Sequence, residues 1–203
     1  MRNLKIKYSD TLIESQVTND LIAYQKIIKT RVDWPIDLEA FISNLWGVEL
    51  IYEDELVDPN TKDKVVGCLL VNDKKILINL AENKLDGRLN FTITHEAGHI
   101  SLHSSLSLGT STKEIKNQIY CRNIDAYRVL SKEWQVEHQA NHYATCLLLP
   151  RTQLFGLLDN SGTTDLEVMA KDLMSKFGVS RYALEYRLSK LGFRTVNNLY
   201  SFK

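Results

Sequence analysis

His95-Glu96-Ala97-Gly98-His99 is an H-E-x-x-H stretch, and its reading decides how the rest of the chain is understood. Histidines four apart lie about 40° from one another around a helix axis, so both imidazoles leave the same face. That geometry suits two ligands on one metal ion, with Zn²⁺ the first expectation. Glu96 follows the first ligand and can reach a metal-bound water without ligating the metal, which suits a general base. The competing reading is an ordinary amphipathic helix whose histidines are core or surface residues. The remainder of the chain supplies the parts that a metal site would still lack.

A catalytic zinc needs three protein ligands and one open position. All five histidines lie between positions 95 and 142, so the third ligand is sought on the helix expected over 133–149 and stopped at Pro150. Glu137 is favoured, because a carboxylate completes a His₂Glu set. Asn141, one turn later on the same face, is placed to hydrogen-bond a ligating imidazole. His138 and His142, also four apart, are rivals that offer a competing site or a His₃ set. Together with Tyr143 they are candidate contacts for a transition state or a partner; their plainer reading is as partly exposed helix residues. His103 continues the 95–99 stripe by one turn, but three consecutive turns diverge too far along the axis for one ion. It reads as structural, and Glu133 reads as solvated.

Composition narrows the class. With 203 residues, 44% hydrophobic and 25% charged, the chain can form one large domain, or one domain and a small appendage. The formal net charge is zero, so no global attraction to nucleic acid or an anionic membrane is expected. Residues 1–14 lack the apolar core of a secretory signal, and the apolar runs are too short for a bilayer. Cys68, Cys121 and Cys146 are odd in number and far apart, which argues for reduced thiols in a cytoplasm and against roles as ligands. A cytoplasmic protein without a membrane span is the expectation.

Apolar spacing from Ser9 to Thr30 is close to a helical period, and Trp34-Pro35 breaks it. Asp37 looks like the N-cap of a second helix ending at Gly47. Residues 48–52, 65–71 and 76–80 read as strands, the last two around the polar turn Asn72-Asp73-Lys74-Lys75. The metal helix is expected over 89–103, followed by a polar loop over 104–112 and a weak pattern to about Val129. Two short helices, 165–177 and 181–191, are joined at Gly178-Val179-Ser180. Helices, a small sheet, the metal helix and then more helices make an α+β chain, with the expected division at 1–155 and 156–203. The last pair resembles a helix-turn-helix, with Ser180 as cap and Arg181, Tyr182, Glu185 and Arg187 on or near its outward face. Residues 165–194 hold six Lys/Arg against four Asp/Glu, a weak excess for DNA. A helical pair packed on the first domain, or gripping a protein, is the stronger reading, and direct DNA binding the weaker one.

The pairing of His-Glu-Ala-Gly-His with Glu137-x-x-Ala140-Asn141-x-x-Ala144, ending in Leu147-Leu148-Leu149-Pro150, resembles the ImmA/IrrE family of metallopeptidase-like proteins. The likeness extends from about residue 35, through Asp37-Leu38 and Ile76-Leu77-Ile78-Asn79, to Phe177-Gly178-Val179-Ser180, Ala183-Leu184 and Arg187-Leu188 near residue 192. Tyr143 stands where the family has Phe, and Gln139 where an acidic residue is common. The resemblance implies a small zincin-like metallopeptidase domain with a short, mostly antiparallel sheet. It implies His95, His99 and Glu137 as metal ligands and Glu96 as the catalytic carboxylate. It further implies a zinc-dependent endopeptidase acting on a helix-turn-helix repressor, which would release transcription of a mobile element or stress operon. Mn²⁺ or Fe²⁺ would suit the same ligands. An extended substrate is expected to add along residues 76–80 as a further strand. The alternatives are a non-proteolytic transcriptional regulator or antitoxin-like binding protein with a structural metal, and, last, a small-molecule metal hydrolase.

Overall fold

The computed structural model describes residues 8–58, 62–108, 118–122, 133–160, 162, 165–196 and 199–201. In chain order these form α1 (Asp10–Ile28), α2 (Leu38–Trp46), β1 (Glu49–Glu53), β2 (Val65–Leu70), β3 (Lys75–Asn79) and α3 (Asp86–Leu108). There follow β4 (Gln118–Arg122), α4 (Glu133–Leu148), α5 (Arg151–Asp159), α6 (Leu166–Phe177), α7 (Arg181–Lys190), β5 (Arg194–Val196) and β6 (Leu199–Ser201). The chain is mixed α and β, as the residue pattern led one to expect.

Local chemistry sets the helix ends. Ser9, Asp37, Asp165 and Ser180 each turn a side-chain oxygen onto a free amide of the first turn that follows. Gly178 closes α6 at φ 62°, where a Cβ would be strained. α3 is longer than expected. Between Gly98 and Gly109 there is no glycine or proline to stop it, so it runs on to Leu108 instead of yielding to a loop after His103. Residues 109–112 of the expected loop lie outside the described residues.

The main sheet has the order β1-β3-β2-β4, with β1 parallel to β3 and the other two pairings antiparallel. Turn residues Val71–Lys74 join β2 to β3, with Lys74 at φ 53°. This order corrects one expectation. β3 carries residues 76–79 and is internal, hydrogen-bonded to β1 on one side and β2 on the other, so no substrate strand can add to it. Among the described residues the edges are β1 and β4.

α3 lies against both β2 and α4, and α1 covers α4 from the other side. Ile13, Phe41, Ile42, Leu69, Ile76, Ile78, Leu102, Tyr143, Leu147 and Leu148 fill the space between these layers. One polar group sits among them. Asp20 accepts from Tyr143 Oη at 2.7 Å, Ser101 Oγ at 2.6 Å and Gln16 Nε2 at 2.9 Å, which fastens α1 to both α3 and α4. Burial pushes the Asp20 carboxyl up, and those three donors only partly offset it.

Candidate metal centre

α3 and α4 approach closely where Gly98 faces Ala140. A Cβ at position 98 would stand 3.1 Å from Ala140 Cα and its carbonyl oxygen, and 3.2 Å from Tyr143 Cβ. That closeness lets ligands from two helices converge. His95 Nε2 lies 2.9 Å from His99 Nε2 and 3.1 Å from Glu137 Oε2, and His99 Nε2 lies 3.5 Å from Glu137 Oε1. Tetrahedral zinc with bonds near 2.0–2.1 Å separates its ligands by about 3.3 Å. The two imidazole nitrogens and the Glu137 carboxylate, one oxygen of which faces each histidine, therefore converge at about the spacing one small divalent ion needs, and the His₂Glu donor set suits it chemically.

Protonation favours the same reading. Burial lowers the His99 imidazole to about 4, so it is neutral at neutral pH. Burial alone would raise the Glu137 carboxyl, but hydrogen bonds from His95 and His99 outweigh it and hold Glu137 well below the usual carboxylate range. A neutral imidazole and an ionised carboxylate are the forms that ligate.

The remaining shell is polar and largely buried. Asn141 Oδ1 lies 2.8 Å from His95 Nδ1. His99 Nδ1 lies 3.1 Å from His103 Nδ1, whose ring continues to Gln139 Oε1 at 3.0 Å. Glu96 is fully buried on the sheet side of α3. A Cβ added at Gly67 of β2 would meet Glu96 Oε1 at 3.2 Å and Thr92 Cγ2 at 2.8 Å. Glycine at 67 is what allows the strand to lie this close to the carboxylate.

A second group, Glu14, His142 and Cys146, also brings potential ligand atoms within 4.8 Å of one another. Two facts make it a poor cation site. The Arg187 guanidinium already pairs with Glu14, and burial pushes the Cys146 thiol up to about 12, so a ligating thiolate is strongly disfavoured. Its members describe a packing knot between α1, α4 and α7.

Other expected residues fall in different places. His142 is 1% exposed and turns toward Cys146, with Nε2 at 3.6 Å from Sγ. Tyr143 is fully buried and donates to Asp20. Neither joins the His95–His99–Glu137 group, because position 142 and position 143 point to the α1 side of α4. His138 is half-buried and likewise lies outside that group. Arg187 is a further correction. It is 1% exposed, not outward, because α7 packs on α4 and its guanidinium reaches Glu14 and the Leu149 carbonyl. Arg181, on the same helix, is held by Glu167 and Glu185. Sequence reasoning missed Gly67, Asp20 and the His103–Gln139 contact. Asp20 did carry a signal, since it occupies the apolar stripe Ile13, Val17, Tyr24 at helical spacing.

Two consequences can be measured. In metal-free protein the buried, neutral His99 takes up no proton until about pH 4, whereas the unfolded chain does so near 6.5. His103 and His142 are lowered by burial in the same direction. The unfolded state thus binds more protons in this window, so stability is full above pH 6.5 and falls as the pH drops toward 4. His99 alone accounts for about 3 kcal/mol of that loss, to be read from urea unfolding of the metal-free protein across the window. Gly98→Ala, which would ordinarily gain up to about 1 kcal/mol in a helix, is expected to lose stability here. Crowding against the Ala140 backbone costs about 1–3 kcal/mol, and thermal unfolding reads the net sign.

Residues 65–189 match the profile of Peptidase_M78, the IrrE N-terminal-like domain. No curated protein matches the chain. Among solved structures, a Mycobacterium tuberculosis transcriptional regulator superposes with a TM-score of 0.54 at 16% identity, over 87% of this chain and 51% of that one. The chain thus spans about half the length of that structure, and the likeness concerns the fold.

Proposed function

The chain belongs to the IrrE N-terminal-like family of peptidases, Peptidase_M78, and from that premise we propose that it is a zinc-dependent endopeptidase acting on one protein partner, a helix-turn-helix repressor. The observation that carries this reading is the convergence of His95 Nε2, His99 Nε2 and the Glu137 carboxylate, with the buried Glu96 at the next position of α3 after His95. His95, His99 and Glu137 would hold the ion. When bound, the ion supplies Lewis acidity for hydrolysis of a peptide bond.

The chain's own residues do the rest. Glu96 takes a proton at its carboxylate from the attacking water and returns it to the leaving amine. Asn141 keeps the His95 ring oriented. Among the described residues β4 pairs with β2 alone, and its other edge is where an extended segment would add by main-chain hydrogen bonds. Direct DNA reading by α7 draws little support from its side chains, because Arg187 is buried and Arg181 is engaged with two carboxylates. Among the described residues no helix is long and apolar enough to cross a membrane.

The test is co-expression with candidate repressors followed by incubation of the purified pair with Zn²⁺, Mn²⁺ or a chelator. The proposal expects one defined cut that the chelator abolishes. Tight binding of the repressor with no cut under any metal would favour the regulator that works by binding alone.

A further inference from the structure

An imidazole nitrogen that ligates a metal must offer a lone pair, so the ring must carry its proton on the other nitrogen. His95 and His99 both turn Nε2 toward Glu137, which requires protons on both Nδ1 atoms. For His95 the Asn141 oxygen accepts that proton directly. His99 meets a second imidazole instead, His103 Nδ1 at 3.1 Å. Such a contact is a hydrogen bond only when one ring donates and the other accepts.

Gln139 decides which does which. Its Oε1 lies 3.0 Å from His103 Nε2, and an amide oxygen can only accept. His103 therefore carries its proton on Nε2 and presents a lone pair at Nδ1. His99 Nδ1–H donates to that lone pair, and His99 Nε2 is left bare for the ion. Turning the amide so that its nitrogen faced His103 would reverse every proton in the chain and place one on His99 Nε2. His99, His103 and Gln139 are 0%, 5% and 6% exposed, so bulk water does not stand in for either contact.

We infer that Gln139 and His103 form a positioning relay that selects the nitrogen with which His99 ligates. The inference rests on the reading of His95, His99 and Glu137 as metal ligands. It assigns a role to the turn beyond the H-E-x-x-H stretch, on a residue too far along the axis to touch the ion itself.

Long-range ¹H–¹⁵N correlation spectra of the zinc-loaded protein, with ¹⁵N-labelled histidine, show which ring nitrogen carries each proton. The relay expects His103 protonated on Nε2 and His99 on Nδ1; His103 protonated on Nδ1 overturns it. Zinc affinity, measured by competition with a chromophoric chelator, gives the second arm. Gln139→Leu is expected to weaken zinc by about 10–100-fold, whereas Gln139→Glu, which keeps an accepting oxygen, stays near wild type or binds more tightly. Equal affinity in wild type and Gln139→Leu, or equal losses in both variants, overturns the relay. Neither readout involves cleavage. A protein with these tautomers that cuts no repressor would leave the relay standing and remove the proposed activity.

Discussion

Peptide hydrolysis by the Glu96→Gln protein is expected to fall by about 10²–10⁴-fold, with its metal content unchanged. Glu96 lies between the two histidines on α3 but points to the sheet, where Gly67 leaves room for its carboxylate. Glutamine has the same shape and cannot accept the water's proton, so the change removes proton transfer while leaving His95, His99 and Glu137 in place. The measurement is kcat/KM on a cleaved partner, alongside metal analysis of the same sample. A zinc-loaded Glu96→Gln protein that cleaves at the wild-type rate would contradict the role assigned to this carboxylate.

Arg187→Ala is expected to destabilise the fold by about 3–5 kcal/mol. Arg187 is 1% exposed; its guanidinium pairs with Glu14 of α1, and its Nε donates to the Leu149 carbonyl at 3.0 Å. One side chain thus ties α7 to α1 and to the end of α4, the helix that carries Glu137. Truncation leaves a void, an orphaned carbonyl and a carboxylate without its cation. Because Glu14 is about 30% exposed, water recovers part of that loss, which places the expected value toward the lower end. Replacing both partners by apolar residues, Arg187→Met with Glu14→Leu, should recover much of the deficit, since no charge is then stranded. Urea unfolding of the single and double variants measures both effects. A melt of Arg187→Ala that overlays the wild type would mean that α7 is not anchored through this group.

The metal helix and its partner were legible because their signals are local. Four-residue spacing on a helix places His95 with His99, and Glu137 with Asn141, whatever the rest of the chain does. Caps at Asp37 and Ser180 were legible for the same reason. What the pattern hid depends on partners distant in sequence. β4 is a short strand whose ladder, among the described residues, is with β2, about 50 residues earlier, so nothing near Gln118 announces it. α5 was obscured by Pro150, read as a stop; proline at a helix N-cap is tolerated because the first amides have no intrahelical acceptor, and Leu154 then turns into the core. Arg187 was read as outward by its charge, although it shares the stripe of Ala183, Leu184 and Leu188. Asp20 follows the same rule on α1. In both helices a charged residue set within an apolar stripe marked a buried contact, Asp20 with Tyr143 and Arg187 with Glu14.

Among the described residues two clusters bring potential ligand atoms together, and they differ in one element. The first offers only nitrogen and oxygen, and the second includes the Cys146 sulfur. Zinc K-edge X-ray absorption on protein loaded with one equivalent of Zn²⁺ therefore separates them. Binding by His95, His99 and Glu137 gives nitrogen and oxygen scatterers at about 2.0–2.1 Å and no sulfur. A sulfur shell at about 2.3 Å would place the ion at Glu14, His142 and Cys146 and contradict the assignment of the metal centre.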